Sequence, residues 1–498
     1  MANPNGSRDP KPAPPAATSV YAIYGVEPEV QAYAMAKYSR SSLSMKESLR
    51  EISEQKAEKF LNTYYFQYGH RSIADLAHIA MAIERLSILA AIAVVDEQRW
   101  DGQERSTRYQ DFSHPDYFVP EFGGNSAART RFSDTIDFLF REYRAISERM
   151  SHHLAQRTLR PIEMKQEAYE RTLRARAFDV ARYLLPLATN TSLGQIVNAR
   201  TLESQISRLL SDRFPEVRAL GESLKEAARN PAYNLNPQSK DVRPAPTLVK
   251  YAEASPYLMR SREELATAAS ELLAGAAVAP APAVDLLDDE SLEIEIASTL
   301  LYEHCAYPYR QIRDRVAGLS ATERREIVDL GVKHRGPHDE LLRAFHAGQA
   351  LRFDILMDIG GFRDLHRHRR CVQIHQAFTD AHGYEAPEEV AAAGLREHYD
   401  AVMERVQEAF TQLKRTDAED AGTDAIYLLP LAFRKRTLFK MDLAEAAYIS
   451  ELRTTAAGHF SYRRIAYLMY EAVAQRYPAL ARHFRVTDVR EPVDLLKR

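Results

Sequence analysis

Two cysteines in 498 residues, Cys305 and Cys371, are too few for a disulfide framework and predict a reducing, cytoplasmic setting. Long apolar runs are also missing: the run 86–95 is about half of what a spanning helix needs. Charge of one sign is not in excess. The net charge of −3 excludes the broad basic surface of a general nucleic-acid binder, although a local basic pocket stays open. The opening residues MANPNGSRDPKPAPPAATS contain no apolar core of a signal peptide, and their Pro, Ala and Gly content predicts a disordered tail over 1–19. What is present is an ordinary globular balance, 45% hydrophobic and 27% charged. Such a chain is long enough for roughly two to four domains, each with its own core.

One short stretch departs from that balance. Residues 362–373, FRDLHRHRRCVQ, hold Arg363, Arg367, Arg369 and Arg370 with His366 and His368, after the apolar run Phe353, Ile355, Leu356, Met357 and Ile359. Guanidinium forks match phosphates, carboxylates and the polar edges of heterocycles, and they stack on flat rings. A planar, partly anionic ligand is the functional reading, and a solvated basic helix face is the plain one. A metal site from His366, His368, Cys371 and His375 is a third, but those spacings match no familiar zinc pattern and no carboxylate second shell is evident. No metal is therefore expected.

Periodicity and punctuation divide the rest. A short strand is predicted at 20–24, a helix over 44–68 stopped by Gly69, a strand at 78–83 and a buried helix over 86–98. Long helices follow over 128–154 and 163–185, the latter ended by Pro186, then another over 198–210. Residues 229–290 read as a linker with two Pro-rich tracts, 230–246 and 277–284, around a helical segment at 261–274. Beyond it, 395–413 and 460–477 are the clearest helices.

The hexapeptide YLLPLA stands at 183–188 and again at 427–432, a shift of 244 positions, and the flanking frames FDVARYLLPLAT and TDAIYLLPLAF agree. Two copies of one domain are expected, 20–228 and 291–498, making the chain a covalent pseudo-dimer. A homodimer of such chains would be a pseudo-tetramer.

The loop Gln103-Glu104-Arg105-Ser106-Thr107-Arg108-Tyr109 gathers hydroxyl and guanidinium donors suited to a phosphate, with a carboxylate able to accept from a sugar or base. A polar turn held by local Ser/Thr hydrogen bonds explains it equally well. Together with the basic stretch, however, this loop resembles the flavin-dependent thymidylate synthases. Their signature is Arg-His-Arg, seven residues, then Ser followed two later by Arg and Tyr. The signature is split between the two copies. Arg367-His368-Arg369 is intact in the second, but Ala377 and Thr379 stand where Ser and Arg belong. Ser106-Thr107-Arg108-Tyr109 is intact in the first, but Asp96-Glu97-Gln98 replaces Arg-His-Arg. Other family positions divide likewise: Gly69-His70-Arg71-Ser72, Arg182 and Asn198-Ala199-Arg200 are kept in the first copy, and Arg453 in the second.

The resemblance implies an α+β fold of two tandem, helix-rich domains, each with a small antiparallel sheet. It also implies one composite site. Glu104, Ser106, Arg108, Tyr109 and Arg182 would hold a pyrimidine nucleotide, with Arg453 at the pyrimidine carbonyl edge. His70, Ser72, Asn198, Arg200, Arg367, His368 and Arg369 would meet FAD. Arg453 and Arg367 would act in catalysis by stabilising charge. The implied reaction is reductive methylation of dUMP to dTMP with methylenetetrahydrofolate and NADPH, and it needs no cysteine nucleophile. Two alternatives remain at this level: a flavoenzyme acting at C5 of another pyrimidine nucleotide, and a nucleotide- or RNA-binding relative without turnover.

Overall fold

A computed structural model of the chain describes residues 25–37, 45–51, 58–59, 71–234, 238, 241–336, 339–416 and 421–496. The tail, the strand expected at 20–24, Gly69, His70 and most of the helix expected at 44–68 lie outside them, although Met45–Glu51 is helical.

The two copies repeat one succession of elements. The first runs β1 (His78–Ser87), helix Ile88–Val95, β2 (Asp101–Glu104), helices Ser126–Arg157 and Gln166–Ala181, a 3-10 turn Arg182–Leu184, β3 (Asn190–Asn198), and helices Ala199–Leu210 and Pro215–Arg229. The connecting stretch adds β4 (Val284–Leu286). The second copy then runs β5 (Leu351–Asp358), helix Ile359–Leu365, β6 (Val372–His375), helices Arg396–Lys414 and Ala421–Ala425, a 3-10 turn Ile426–Leu428, β7 (Arg434–Met441), and helices Leu443–Thr454 and Phe460–Arg476. Both sheets are antiparallel and share an order, β1-β3-β2 and β4-β5-β7-β6. The fold is α+β in two tandem copies.

Equivalent local chemistry starts equivalent helices. The Ser87 hydroxyl accepts from the Ala90 amide at 3.0 Å, and Asp358 accepts from Gly361 at 2.6 Å. Asn198 and Asp442 each accept at 2.8 Å from the amide three residues on. The Asn-to-Asp difference between copies therefore preserves the helix cap. The strand expected at 78–83 extends to Ser87 because a bulge between Glu84 and Leu86, with Arg85 at φ 59°, absorbs the break in alternation.

The repeated hexapeptide joins the copies. Leu187 donates to the Leu429 carbonyl and Leu431 to the Leu185 carbonyl, both at 2.9 Å. Ala188 and Ala432 donate reciprocally to Tyr427 and Tyr183 at 2.8 and 3.1 Å. Pro186 and Pro430 face one another at the centre, where neither has an amide to leave unpaired. Reciprocal bonding of one patch with itself is the signature of a two-fold interface, here within a single chain. Beside it, Phe132, Leu139 and Tyr143 share a buried cluster with Tyr399, Val402 and Phe410 of the other copy.

The connecting stretch is bonded to both copies. Glu29 accepts from the amides of Thr247 and Leu248, each at 2.7 Å, and β4 pairs with β5. The helix Pro256–Leu272, capped by Ser255, lies between them. No described helix is long and apolar enough to cross a membrane.

Candidate active site

The arginine-rich stretch 362–373 forms the end of helix Ile359–Leu365, a turn and the start of β6. Its single carboxylate, Asp364, is where groups from both copies meet. Arg182, on the 3-10 turn that opens the first hexapeptide, is 2% exposed and reaches Asp364 with Nη1 and Nη2 at 3.2 and 3.3 Å. Burial alone would raise the Asp364 pKa. The charges of Arg182, Arg108, Arg453 and Arg367 outweigh it and hold the carboxyl below its ordinary range. Two of those arginines come from each copy.

The Ser/Arg loop approaches from the first copy. Arg108 Nε and Nη2 donate to Asp179 at 2.7 and 3.2 Å, Nη1 donates to the Tyr462 hydroxyl at 3.0 Å, and Nη2 reaches the Ala457 carbonyl at 3.1 Å. The Ser106 hydroxyl accepts from the Arg108 amide at 3.2 Å, so the local polar turn is also real. Tyr109 is exposed beside it. Glu104, at the end of β2, is ion-paired with Arg363 of the second copy.

The Arg-His-Arg segment of the second copy has Arg453 beside it. Arg453 lies 5.4 Å from the Tyr462 ring that Arg108 also approaches at 5.7 Å. Its Nε donates to His368 Nε2 at 2.8 Å, so His368 carries its proton on Nδ1, which faces Glu445 at 3.5 Å. Burial lowers the His368 pKa and Arg453 adds to that, while Glu445 opposes it. The result is a neutral imidazole linking Glu445 to Arg453. Arg369 stacks over Trp100 of the first copy at 4.4 Å. Burial, with Arg367 adding and Asp101 opposing, pulls the Arg369 pKa down to about 10, which leaves it cationic at neutral pH. Gly102 makes room for Trp100: a Cβ there would fall 2.3 Å from the Gly194 carbonyl and 2.5 Å from the indole.

Several guanidinium donors here are buried without a hydrogen-bond partner: Arg182 Nε, Arg363 Nε, and Arg369 Nε and Nη2. Orphaned cationic donors are costly in a dry interior, and a ligand rich in acceptor atoms would satisfy them. A flavin or a nucleotide fits that donor set.

The other expected flavin contacts have protein partners. Asn198 caps its helix, and Arg200 bridges Asp75 and Glu340 at 3.4 and 3.3 Å. Ser72 lies in the 3-10 turn Arg71–Leu76, and His70 is outside the described residues. Asp364, Asp179, Glu445, Tyr462 and Trp100 complete the arrangement and were not singled out in the sequence. Asp364 was within reach, being the one carboxylate among the clustered arginines. Where the first copy lacks Arg-His-Arg, Asp96 now accepts from Arg343 at 2.5 Å and Glu97 from Arg208 at 2.9 Å.

Comparison with known proteins gives the family. The profile of the family described as thymidylate synthase complementing protein matches residues 23–230 and again 294–479. A UPF0159 protein of Chlamydia pneumoniae is 27% identical over 95% of this chain and 92% of its own length. UPF0159 protein Ta1429 of Thermoplasma acidophilum is 25% identical over 91% of the chain and 94% of its own length. A flavin-dependent thymidylate synthase of Clostridium tetani is 25% identical over 214 residues, 43% of this chain and 82% of that protein. Matched once in each copy, the chain belongs to the thymidylate synthase complementing protein family, the flavin-dependent thymidylate synthases.

Proposed function

We propose that the chain carries out FAD-dependent reductive methylation of dUMP to dTMP, using methylenetetrahydrofolate and NADPH, at a composite site between its two copies in the cytoplasm. The observation that carries this reading is the pairing of Arg182 of the first copy with Asp364 beside the Arg-His-Arg segment of the second, while Arg108 of the first copy and Arg453 of the second approach one ring, that of Tyr462. The family match supports flavin chemistry, and the unpartnered guanidinium donors supply a reason for an anionic ligand to bind there.

When bound, the flavin supplies the hydride. The chain's own residues position and balance charge. Arg367 and Arg369, with His368 between them, would hold the flavin, with Trp100 as a flat support behind Arg369. Arg182 and Ser106 would hold the nucleotide, and Arg453, oriented by His368, would face the pyrimidine carbonyl edge where negative charge develops. Arg108 braces the pocket through Asp179 and Tyr462. His70, Ser72, Asn198 and Arg200 would complete the flavin site, Glu104 and Tyr109 the nucleotide site. Two chains pairing as a homodimer would complete a pseudo-tetramer.

The test is direct. The purified protein should be yellow or take up FAD to give a flavin absorption band, and it should release tritium from C5-labelled dUMP in the presence of folate and NADPH. A protein that cannot be loaded with FAD overturns the reading. Release from labelled UMP but not dUMP would reassign the substrate to another pyrimidine nucleotide.

A further inference from the structure

A second cluster of side chains from both copies lies behind the Arg-His-Arg segment. His366 immediately precedes Arg367, His375 ends β6, and Asp96 follows helix Ile88–Val95 of the first copy. One ligand atom from each lies within 4.8 Å of the others. Asp96 Oδ1 is 3.9 Å from His366 Nε2 and 3.4 Å from His375 Nε2. Donors held tetrahedrally by an ion at about 2.0–2.1 Å are about 3.4 Å apart, so no pair in the set need close by more than about 1.4 Å.

The tautomer of His366 suits a ligand. The Gln373 amide nitrogen donates to the His368 carbonyl at 2.6 Å, which turns its oxygen toward His366 Nδ1 at 2.9 Å. His366 therefore donates from Nδ1 and presents the lone pair of Nε2 toward Asp96. That nitrogen is buried with no hydrogen-bond partner, as is His375 Nδ1, while His375 Nε2 has only its long approach to Asp96. His366 is 5% exposed, so no bulk water relieves it. A ligating imidazole held through its other nitrogen, beside a carboxylate held by a further group, is the usual outer arrangement of a metal site. Arg343 is that further group: it donates to Asp96 Oδ1 at 2.5 Å and to the Asp96 carbonyl at 3.0 Å. A carboxylate offers about four lone-pair sites, so this bond does not exhaust it.

We infer that Asp96, His366 and His375 form a binding site for a borderline divalent ion, Zn2+ or Fe2+, that ties the two copies together directly behind the arginine cluster. Two imidazoles and one carboxylate suit such ions, whereas Mg2+ and Ca2+ take oxygen ligands. The sequence pointed to His368 and Cys371 as companions of the histidines. The structure commits both elsewhere: His368 Nε2 to Arg453, and the Cys371 thiol to the His368 carbonyl at 2.9 Å. The missing carboxylate comes from the first copy, from the triplet that replaces its own Arg-His-Arg. The ion has a structural role: it fixes the chain one residue before Arg367.

The test reads metal content and not turnover, so it is independent of the flavin reaction. Untagged full-length protein is dialysed against Zn2+, or anaerobically against Fe2+, desalted, and analysed by mass spectrometry of the metal. The expected result is about one equivalent per chain for one of the ions, a rise in melting temperature reversed by EDTA, and only nitrogen and oxygen neighbours in X-ray absorption at the metal edge. Asp96→Asn and His375→Gln should bring the metal to background, whereas His382→Gln, at a buried histidine outside the cluster, should leave it intact. Wild-type protein holding neither ion would overturn the site, as would full retention in Asp96→Asn or His375→Gln, or sulfur in the coordination sphere. Should either variant fail to fold, the wild-type stoichiometry and absorption spectrum decide alone.

Discussion

The guanidinium of Arg108 donates to the hydroxyl of Tyr462 at 3.0 Å across 354 residues of sequence. That contact ties the Ser/Arg loop of the first copy to the second. Tyr462 also stands beside Arg453, so one phenol ring has an arginine of each copy near it, at 5.7 and 5.4 Å. A duplicated chain needs each group of a shared site once. Under the proposed reading, losing Arg-His-Arg from one copy and Ser-x-Arg-Tyr from the other costs nothing as long as the surviving halves serve one site.

Arg453→Ala should lower kcat for dTMP formation by about 100-fold or more, the usual effect of removing one charge-stabilising donor. Glu445→Gln leaves Arg453 in place but removes the negative charge facing His368 Nδ1, so a smaller loss of about tenfold is expected. Single-turnover flavin oxidation monitored by absorbance checks both. Equal rates for Arg453→Ala and wild type would remove Arg453 from the reaction.

Asp364→Asn keeps the shape of the side chain and removes its charge. Arg182, buried at 2% exposure, would lose its counter-charge, and an uncompensated buried cation costs about 3 kcal/mol. Urea unfolding should show that loss. With the counter-anion gone, the same variant should bind dUMP more tightly if the arginines receive its phosphate, and calorimetric titration reads that directly.

Much of this was legible in the sequence because it was carried by local strings. YLLPLA, the Arg-His-Arg triplet and the Ser-x-Arg-Tyr loop are contiguous, and amphipathic helices such as Ser126–Arg157 announce themselves by their period. The partners of those strings were not legible. Asp179, Tyr462 and Glu445 are ordinary residues on ordinary helices, and only the fold brings them to Arg108 and His368. Nor does a Pro/Ala tract reveal that β4 will pair with β5, because backbone hydrogen bonding leaves little trace in three residues. The hexapeptide identified the duplication, but not that its two copies would bond to each other.

Trp100, the chain's one tryptophan, offers a probe of how the copies unfold. Its Nε1 donates to Gln195 at 2.7 Å, and its ring lies under Arg369 of the other copy. Because the hexapeptides and the shared buried cluster join the copies, fluorescence and far-ultraviolet circular dichroism should follow one urea transition. Leu187→Asp, which buries a carboxylate in the interface between the copies, should lower its midpoint strongly. Two separate wild-type transitions would show that each copy folds alone.

Two buried groups tilt stability with pH in opposite directions. Burial raises the Glu29 pKa to about 7 despite the amides of Leu248 and Thr247, so between about pH 4.3 and 7 the unfolded chain ionises first and stability falls as pH rises. Burial, with Arg436, Arg434 and Lys435 adding, lowers that of His382 to about 4. The unfolded chain then takes the proton first, and stability falls as pH drops from about 6.5 to 4. Each slope is about 1.4 kcal/mol per pH unit at most. Glu29→Gln should flatten the first and His382→Gln the second, as read from urea midpoints at pH 5, 6 and 7.

Arg369 is the sharpest single test of ligand binding at the junction. Its Nη1 reaches the Arg367 carbonyl at 3.0 Å, while Nε and Nη2 are buried and unpartnered. Lysine keeps the charge but loses the planar fork and its stacking on Trp100. Arg369→Lys should therefore weaken FAD binding by about tenfold, which corresponds to about 1.4 kcal/mol. Trp100→Leu removes the aromatic face alone and should cost a smaller part of the same binding energy, since a cation over an aromatic ring contributes about 0.5–2 kcal/mol. Titrating FAD into each variant and following flavin fluorescence separates the two contributions. Because FAD loading is read rather than turnover, the result does not depend on which pyrimidine nucleotide the site accepts. Unchanged affinity in Arg369→Lys would place the flavin away from the Arg-His-Arg segment and leave the unpartnered donors to another ligand.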